Sequence, residues 1–546
     1  MRPIRHALLP AVAMLVLFSA AAAAQPAEDH VHTPPEKLGS VHFATSCASA
    51  VGPAFERGVA LLHSFGYGQA SAAFAAVAAQ DPGCAMAQWG IAMSNLHIIW
   101  GPVTEAEYAA GREAARRAAA LTAGSERERD YVAAIHDFYQ GDGVAYPVRT
   151  LAFEQAMAKV AERNPQDHEA AIFHALALLG VAYNSPPDKT YARQRQAAEI
   201  LNRLLPLEPE HPGIAHYVIH AFDYPGVAEL ALPAARAYAK IAPSSPHALH
   251  MPSHIFTRLG LWQESIDSNL ASSAAARRWV AKNHPGATSF EDLHAMDYLE
   301  YAYLQTGRDA PAREIVDRVA AITSFDAPQF AAGYALAAVP ARYALERRAW
   351  KEAAALTLGP PSFPWDKYPY AEAIVHFARA VGAARSGDLE TARAAVANLA
   401  AIQRGLQGQQ GFDWATQVEI QRRAAAGWLA HADRHDGDAV TLLRSAADLE
   451  DTTDKHPVTP GSVLPAREQL ADLLAELGRP SAALAEYEAS LKTSPARFRT
   501  FCGAAHAADR SGDAAKAKTY YAKLVELSGR GDSTRSEVAE ARSRLK

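Results

Sequence analysis

Two consecutive stretches, PEHPGIAHYVIHAFDYPG at 209–226 and PSSPHALHMPSHIFTRLG at 243–260, carry the same punctuation. Pro209 and Pro243, Pro212 and Pro246, His216 and His250, His220 and His254, and Phe222 and Phe256 are each separated by 34 residues. His216 with His220, and His250 with His254, are i,i+4 pairs, so each pair projects from one face of its own helix. A third segment, FEDLHAMDYLEYAYLQTG, follows at 290–307 with His294, Asp297 and Tyr301 at helical spacing. The question set by these segments is whether a histidine-lined face repeated along the chain does chemistry.

Outward from this centre the chain reads as Ala-rich helices divided by short turns, with no strand-like alternation. AFERGVALLHSFGYGQASAAFAAVAAQDP at 54–82 places Gly58, Ala70, Phe74 and Pro82 at fixed offsets, and LPAREQLADLLAELGRPSAALAEYEASLKTSP at 464–495 repeats the design with Gly478, Ala483, Tyr487 and Pro495. AAHAADRSGDAAKAKTYYAKLVEL follows with Gly512, Ala517 and Tyr521. These offsets, with the 34-residue period, resemble the tetratricopeptide repeat over most of 54–527. Inserted loops (HIIWGP, GDGVAYP, NSPPDK) and a Pro- and aromatic-rich stretch at 359–370 interrupt the period. The expected fold is therefore all-α: a right-handed superhelical solenoid of stacked antiparallel helix pairs with irregular inserted loops. A two-helix unit cannot bury both apolar faces alone, so neighbours stack. The expected organisation is 1–24 signal peptide, 25–52 extended lead, 53–358 irregular array with the histidine stripe, 359–370 loop and 371–546 C-terminal array.

The first 24 residues fit a signal peptide: Arg2 and Arg5 precede an apolar run that ends in Ala22-Ala23-Ala24. A periplasmic or secreted location is expected, with no membrane span once the signal is removed. Taking Arg2 and Arg5 from the 53 basic residues leaves 51 against 59 acidic ones, a formal charge of −8. That balance argues against a nucleic-acid partner. Of three cysteines, Cys47 and Cys84 can pair in an oxidising compartment, leaving Cys502 alone.

The resemblance also implies which places face the concave groove of the solenoid. They fall on His216, His220, Asp223 and Tyr224 in one repeat, on His247, His250, His254 and Arg258 in the next, and on His294, Asp297 and Tyr301 in the third. Six histidines share one stripe. Two readings follow. In the first, the groove binds a peptide, protein or small-molecule ligand, with His247, His294, Arg258, Tyr301, Asp223 and Tyr224 lining it. In the second, His216, His220, His250, His254 and Asp297 hold a transition metal ion (Zn, Cu, Fe or Ni), with His247 and His294 behind them. No Glu follows the first His of either pair, so the H-E-x-x-H base is missing. G-x-S-x-G, P-loop, dinucleotide and C-x-x-C-H motifs are absent as well. His63 and His97 approach the groove or cap helices, His174 reads as a core residue, and His30, His32 and His42 as solvated.

Overall fold

The computed structural model describes residues 36–121, 124–409, 411–529 and 535–546. The signal segment, His30 and His32 lie outside the described residues. Lys37–Lys546 form one compact unit; of the unit before it, Met1–Glu36, only Glu36 is described.

Among the described residues α-helices follow one another from Gly52–His63 to Ser536–Arg544, and the only β pairing is a single bridge between Thr288 and Phe325. The architecture is an all-α solenoid in which successive helices pack as antiparallel pairs. No described helix is long and apolar enough to cross a membrane. The small residues act as the repeat pattern requires. A Cβ on Gly90 would lie 2.5 Å from the Phe74 ring, so Phe74 packs flat only against a glycine.

Three helices carry the histidine stripe. Pro212–Phe222 starts with Pro212, whose missing N–H costs nothing at that place. His211 caps this helix, its Nδ1 accepting from the Gly213 N–H at 3.1 Å. The second stripe helix is divided into Pro246–His250 and Pro252–Leu259 at Met251, where Pro252 removes a ladder donor. Ser245 caps it by accepting from Ala248, and Gly260, at φ +70°, ends it. Phe290–Gln305 begins at Ser289, which accepts from the Glu291 N–H.

Two long-range closures depart from a solenoid whose repeats touch only their neighbours. The first helix, Gly52–His63, packs on Pro212–Phe222, and Phe290–Gln305 packs on Phe498–Arg510. The C-terminal half also lays the segment 453–465 across the stripe helices. Lys189 Nζ donates to Asp454, Lys455 Nζ to Asp223, and Tyr298 Oη to the Thr459 carbonyl. Farther along, Trp262 Nε1 donates to the Ala496 carbonyl and Arg497 to Tyr301 Oη. The expected open, wet groove is therefore absent at the histidines: His216 and His220 are 0% exposed, His254 1% and His250 2%.

At the N-terminal side Cys47 and Cys84 are joined, with Cα atoms 4.9 Å apart across 37 positions. The bond ties the extended lead to the start of helix Ala85–Ser94. The 359–370 loop packs onto its neighbours. Phe363 is buried against Gly333, and Tyr370 stacks on Trp414 at 3.9 Å.

Candidate metal centre

The six stripe histidines form two groups of three. In the first, His216, His220 and His247 bring their ring nitrogens within 4.8 Å of one another; in the second, His250, His254 and His294 do the same. His216 Nε2 lies 3.1 Å from both His220 Nε2 and His247 Nε2. His250 Nε2 lies 3.0 Å from His254 Nε2. The His220 and His254 ring centroids are 6.5 Å apart, so the two groups face each other. Nitrogens bound to one tetrahedral ion at the usual zinc distance stand about 3.3 Å apart, within a few tenths of an ångström of the His216–His220, His216–His247 and His250–His254 separations.

The outer ring nitrogens decide where the protons sit. Asn269 Nδ2 donates to the Ser265 carbonyl at 2.8 Å, which turns its Oδ1 toward His250 Nδ1 at 2.6 Å. His250 therefore carries its proton on Nδ1, and Nε2 is a bare lone pair. His254 Nδ1 donates to Asp223 Oδ2 at 3.0 Å, so its Nε2 is bare as well. Two lone pairs then face each other at 3.0 Å with no proton between them, a repulsive contact unless a cation occupies the space. Protonating one ring is the costly alternative. Burial, and after it His254, holds His250 well below the usual imidazole range; burial also lowers His254, against the pull of Asp223.

The first trio has the same logic. His216 Nδ1 donates to the backbone carbonyl of His63 at 2.6 Å, leaving Nε2 with one lone pair. Two imidazoles reach for that lone pair, and only one N–H can use it. His220 Nδ1 is buried without a partner. Burial pushes His216, His220, His247 and His294 well below the ordinary histidine value, with neighbouring histidines adding to the effect. Burial thus favours the neutral form of all six rings, the form in which an imidazole nitrogen can bind a metal. Outer hydrogen bonds from His216, His250 and His254 to a carbonyl, an amide and a carboxylate are the arrangement by which proteins orient metal-binding imidazoles.

Asp223 is the charged hinge of the site. Its Oδ1 accepts from Arg258 Nε at 2.8 Å, its Oδ2 from His254 and from Lys455 Nζ at 3.0 Å, and its carbonyl from Arg258 Nη2. Burial opposes its ionisation, but Lys455 and Arg258 together hold it well below the carboxylate range. Arg258 and Lys455 also border a cavity of about 410 Å³ shared with Tyr191, Tyr301 and Arg467. Tyr224 faces away from the histidines, its ring 4.9 Å from Tyr191 and its Oη accepting from Gln194.

Asp297 is not placed with the histidines. Arg342 Nη1, from helix Phe330–Glu346, takes it at 2.7 Å and Glu300 at 2.9 Å. Burial pushes Asp297 up despite that pairing, and Glu300 up to about 8. His247 and His294 stand within the trios rather than behind them. His97 bonds to the Ser94 carbonyl, and His174 pairs with Glu154 at 3.0 Å instead of sitting in an apolar core.

His63, Glu169 and His211 make a third cluster of a different kind. His63 Nε2 and His211 Nε2 each meet their own oxygen of Glu169, at 2.9 and 3.0 Å, and His63 Nδ1 bonds Tyr217 Oη. Every group there is satisfied. The cluster fixes His63, whose carbonyl fixes His216. Gly213 makes this possible, because a Cβ there would sit 2.6 Å from His63 Nδ1.

Several residues of the site gave no sequence signal: Asn269, Lys455, Thr459 and Phe65. Phe65 is held at φ +54°, unusual for a bulky side chain, and its ring lies 4.3 Å from His216, 5.4 Å from His220 and 5.6 Å from His247. Trp100 closes the same side 5.7 Å from His220. Tyr298 was missed too, although its place four residues after His294 could have signalled it; its ring covers His250 and His254.

Residues 498–530 match the tetratricopeptide repeat family. No curated protein sequence matches the chain. Among solved structures, the chain is similar to a human IFIT1 dimer with PPP-AAAA at 10% identity, covering 80% of this chain and 89% of that one with a TM-score of 0.39. It is also similar to a tetratricopeptide repeat protein from Parabacteroides merdae ATCC 43184 (11% identity, 56% and 99% covered, TM-score 0.30). A third, the APC/C hetero-tetramer Cut9-Hcn1, gives 11% identity, 91% and 90% coverage and a TM-score of 0.32. Residues 498–530 are thus matched as a tetratricopeptide repeat, and the described chain around them is built of paired helices.

Proposed function

We propose that this chain is a metal-binding protein in which three neighbouring repeat helices build two facing three-histidine sites, one from His216, His220 and His247 and the other from His250, His254 and His294. The tetratricopeptide repeat is a scaffold for binding proteins or other ligands, and here the residues that would line an open groove are turned inward on themselves. The observation that carries the reading is the His250–His254 contact. Two Nε2 lone pairs, each fixed by an outer acceptor, face each other at 3.0 Å in a buried space. A bound cation turns that repulsion into coordination. Export to the periplasm or outside the cell is part of the same proposal, supported by the basic and apolar N-terminal pattern and by the Cys47–Cys84 pair.

The test uses protein purified without a histidine tag, stripped of metal and dialysed against zinc. Two ions per chain are expected, falling to one in His220→Ala and in His254→Ala. Binding of fewer than about 0.2 ions per chain by the folded wild type, or unchanged binding in both variants, would overturn the reading.

A second reading, ligand binding in the cavity of about 410 Å³ beside Arg258, Tyr301 and Lys455, is favoured by its polar lining. It predicts that Arg467→Ala weakens ligand binding while leaving metal content at two ions.

A further inference from the structure

Resting on the two-site reading, we infer that the ions held are monovalent copper, a cuprous pair, one in each histidine trio. Neither trio contains a carboxylate or thiolate: all six donors are neutral imidazole nitrogens. The nearest carboxylate, Asp223, lies behind the His254 ring and is already met by Arg258 and Lys455. Glu169 is one residue removed from the first trio and spent between His63 and His211. Asp297 and Glu300 are bound to Arg342. Tyr298 Oη, 3.3 Å from His254 Nδ1, donates to the Thr459 carbonyl. Each of these carboxylates is paired with a cation or with histidines outside the trios, although Asp297 Oδ2 and Glu300 Oε1 are buried without a hydrogen-bond partner, and none of them belongs to either trio.

Burying charge without a counter-charge is costly, and the cost rises steeply with the charge. Two divalent ions would place four positive charges in a space already bordered by two cations; two cuprous ions place two. Coordination number points the same way. Each trio offers three nitrogens, and no fourth His, Cys, Asp or Glu joins either group among the described residues. Divalent zinc, iron and nickel complete four or more positions, so they would need water or an anion brought into each site. Copper in its monovalent state is complete with three donors and so needs no water or anion; its strongest preference is for sulfur, but imidazole suits copper as well. The phenyl ring of Phe65 leaves apolar surface over the first trio, whereas at the second Tyr298 brings its hydroxyl to 3.5 Å from His254 Nε2.

The experiment is anaerobic competition with the full chain. Metal-free, untagged protein is titrated with copper(I) held by bicinchoninate, alone and with a tenfold excess of zinc(II), and the oxidation state is read from the X-ray absorption edge. Expected are two copper(I) ions per chain, zinc failing to displace them, and one ion in His294→Gln, whose helical circular dichroism reports that it folds. Two zinc ions bound in preference to copper(I) would overturn the copper inference and leave the metal reading standing. No ion of either kind on folded protein would overturn both. Copper bound at two per chain in His294→Gln as in the wild type would show that the copper sits elsewhere and overturn the assignment.

Discussion

Replacing Asn269 with alanine isolates the contact on which the proposed metal site depends. In the wild type, Asn269 Oδ1 accepts from His250 Nδ1 at 2.6 Å and so keeps His250 Nε2 bare, 3.0 Å from the bare Nε2 of His254. Without metal, losing a buried hydrogen bond ordinarily costs about 1–3 kcal/mol. Here the cost should fall at or below the low end of that range. Once the acceptor is gone, His250 can move its proton to Nε2 and donate to His254, relieving the lone-pair repulsion. With metal the sign of the advantage reverses, because His250 must give up that proton to coordinate. Loss of such an orienting partner weakens metal binding about 10- to 100-fold, or about 1.4–2.7 kcal/mol, and only at the trio of His250, His254 and His294. The assay is competition with a chromophoric chelator, paired with urea denaturation of the metal-free and metal-loaded protein. An Asn269→Ala protein that binds both ions as tightly as the wild type, or weakens both sites equally, would refute the tautomer argument.

Three further outcomes follow from the same structure. Gly213→Ala should cost about 1–3 kcal/mol through overpacking and lower metal content at the first trio, because the new Cβ, 2.6 Å from His63 Nδ1, displaces the residue whose carbonyl holds His216; urea midpoints and metal analysis read both. Cys47→Ser should lower stability by about 3–4 kcal/mol, the loop-closure entropy for a 37-residue separation, without changing the ion count. Glu300, pushed up to about 8 mainly by burial, keeps its proton in the folded protein at pH values where the unfolded chain has released it. The stability this gives is whole below the unfolded glutamate value and is lost as pH rises through about 8. Denaturation of the wild type between pH 5 and 8 should therefore show a decline of up to about 1.4 kcal/mol per unit that Glu300→Gln flattens.

The helix register was legible because it is local. Two prolines, a histidine pair and a phenylalanine repeated at 34 residues place His216 and His220 in the same positions of their helix as His250 and His254. Spacing along one helix cannot say which neighbour claims a side chain, and Asp297 shows the consequence. It stands one turn from His294, yet Arg342, in an Ala-rich helix that offered no signal, draws it away. Asn269 was invisible for the converse reason: it sits on Trp262–Asn283, a helix whose faces the repeat pattern assigns to packing. Lys455 and Thr459 lie more than 150 residues from the helices they cover, and nothing periodic encodes that return. This return is what turns an expected wet groove into a buried site, and only tertiary structure reveals it.

Anomalous diffraction from crystals of the untagged, metal-loaded protein tests the central claim most directly. Two peaks are predicted, each about 2.0–2.1 Å from a ring nitrogen of every member of its trio, His216, His220 and His247 for one and His250, His254 and His294 for the other. A map with no peak in either trio, and His250 and His254 still 3.0 Å apart with a proton accounting for the contact, would contradict it.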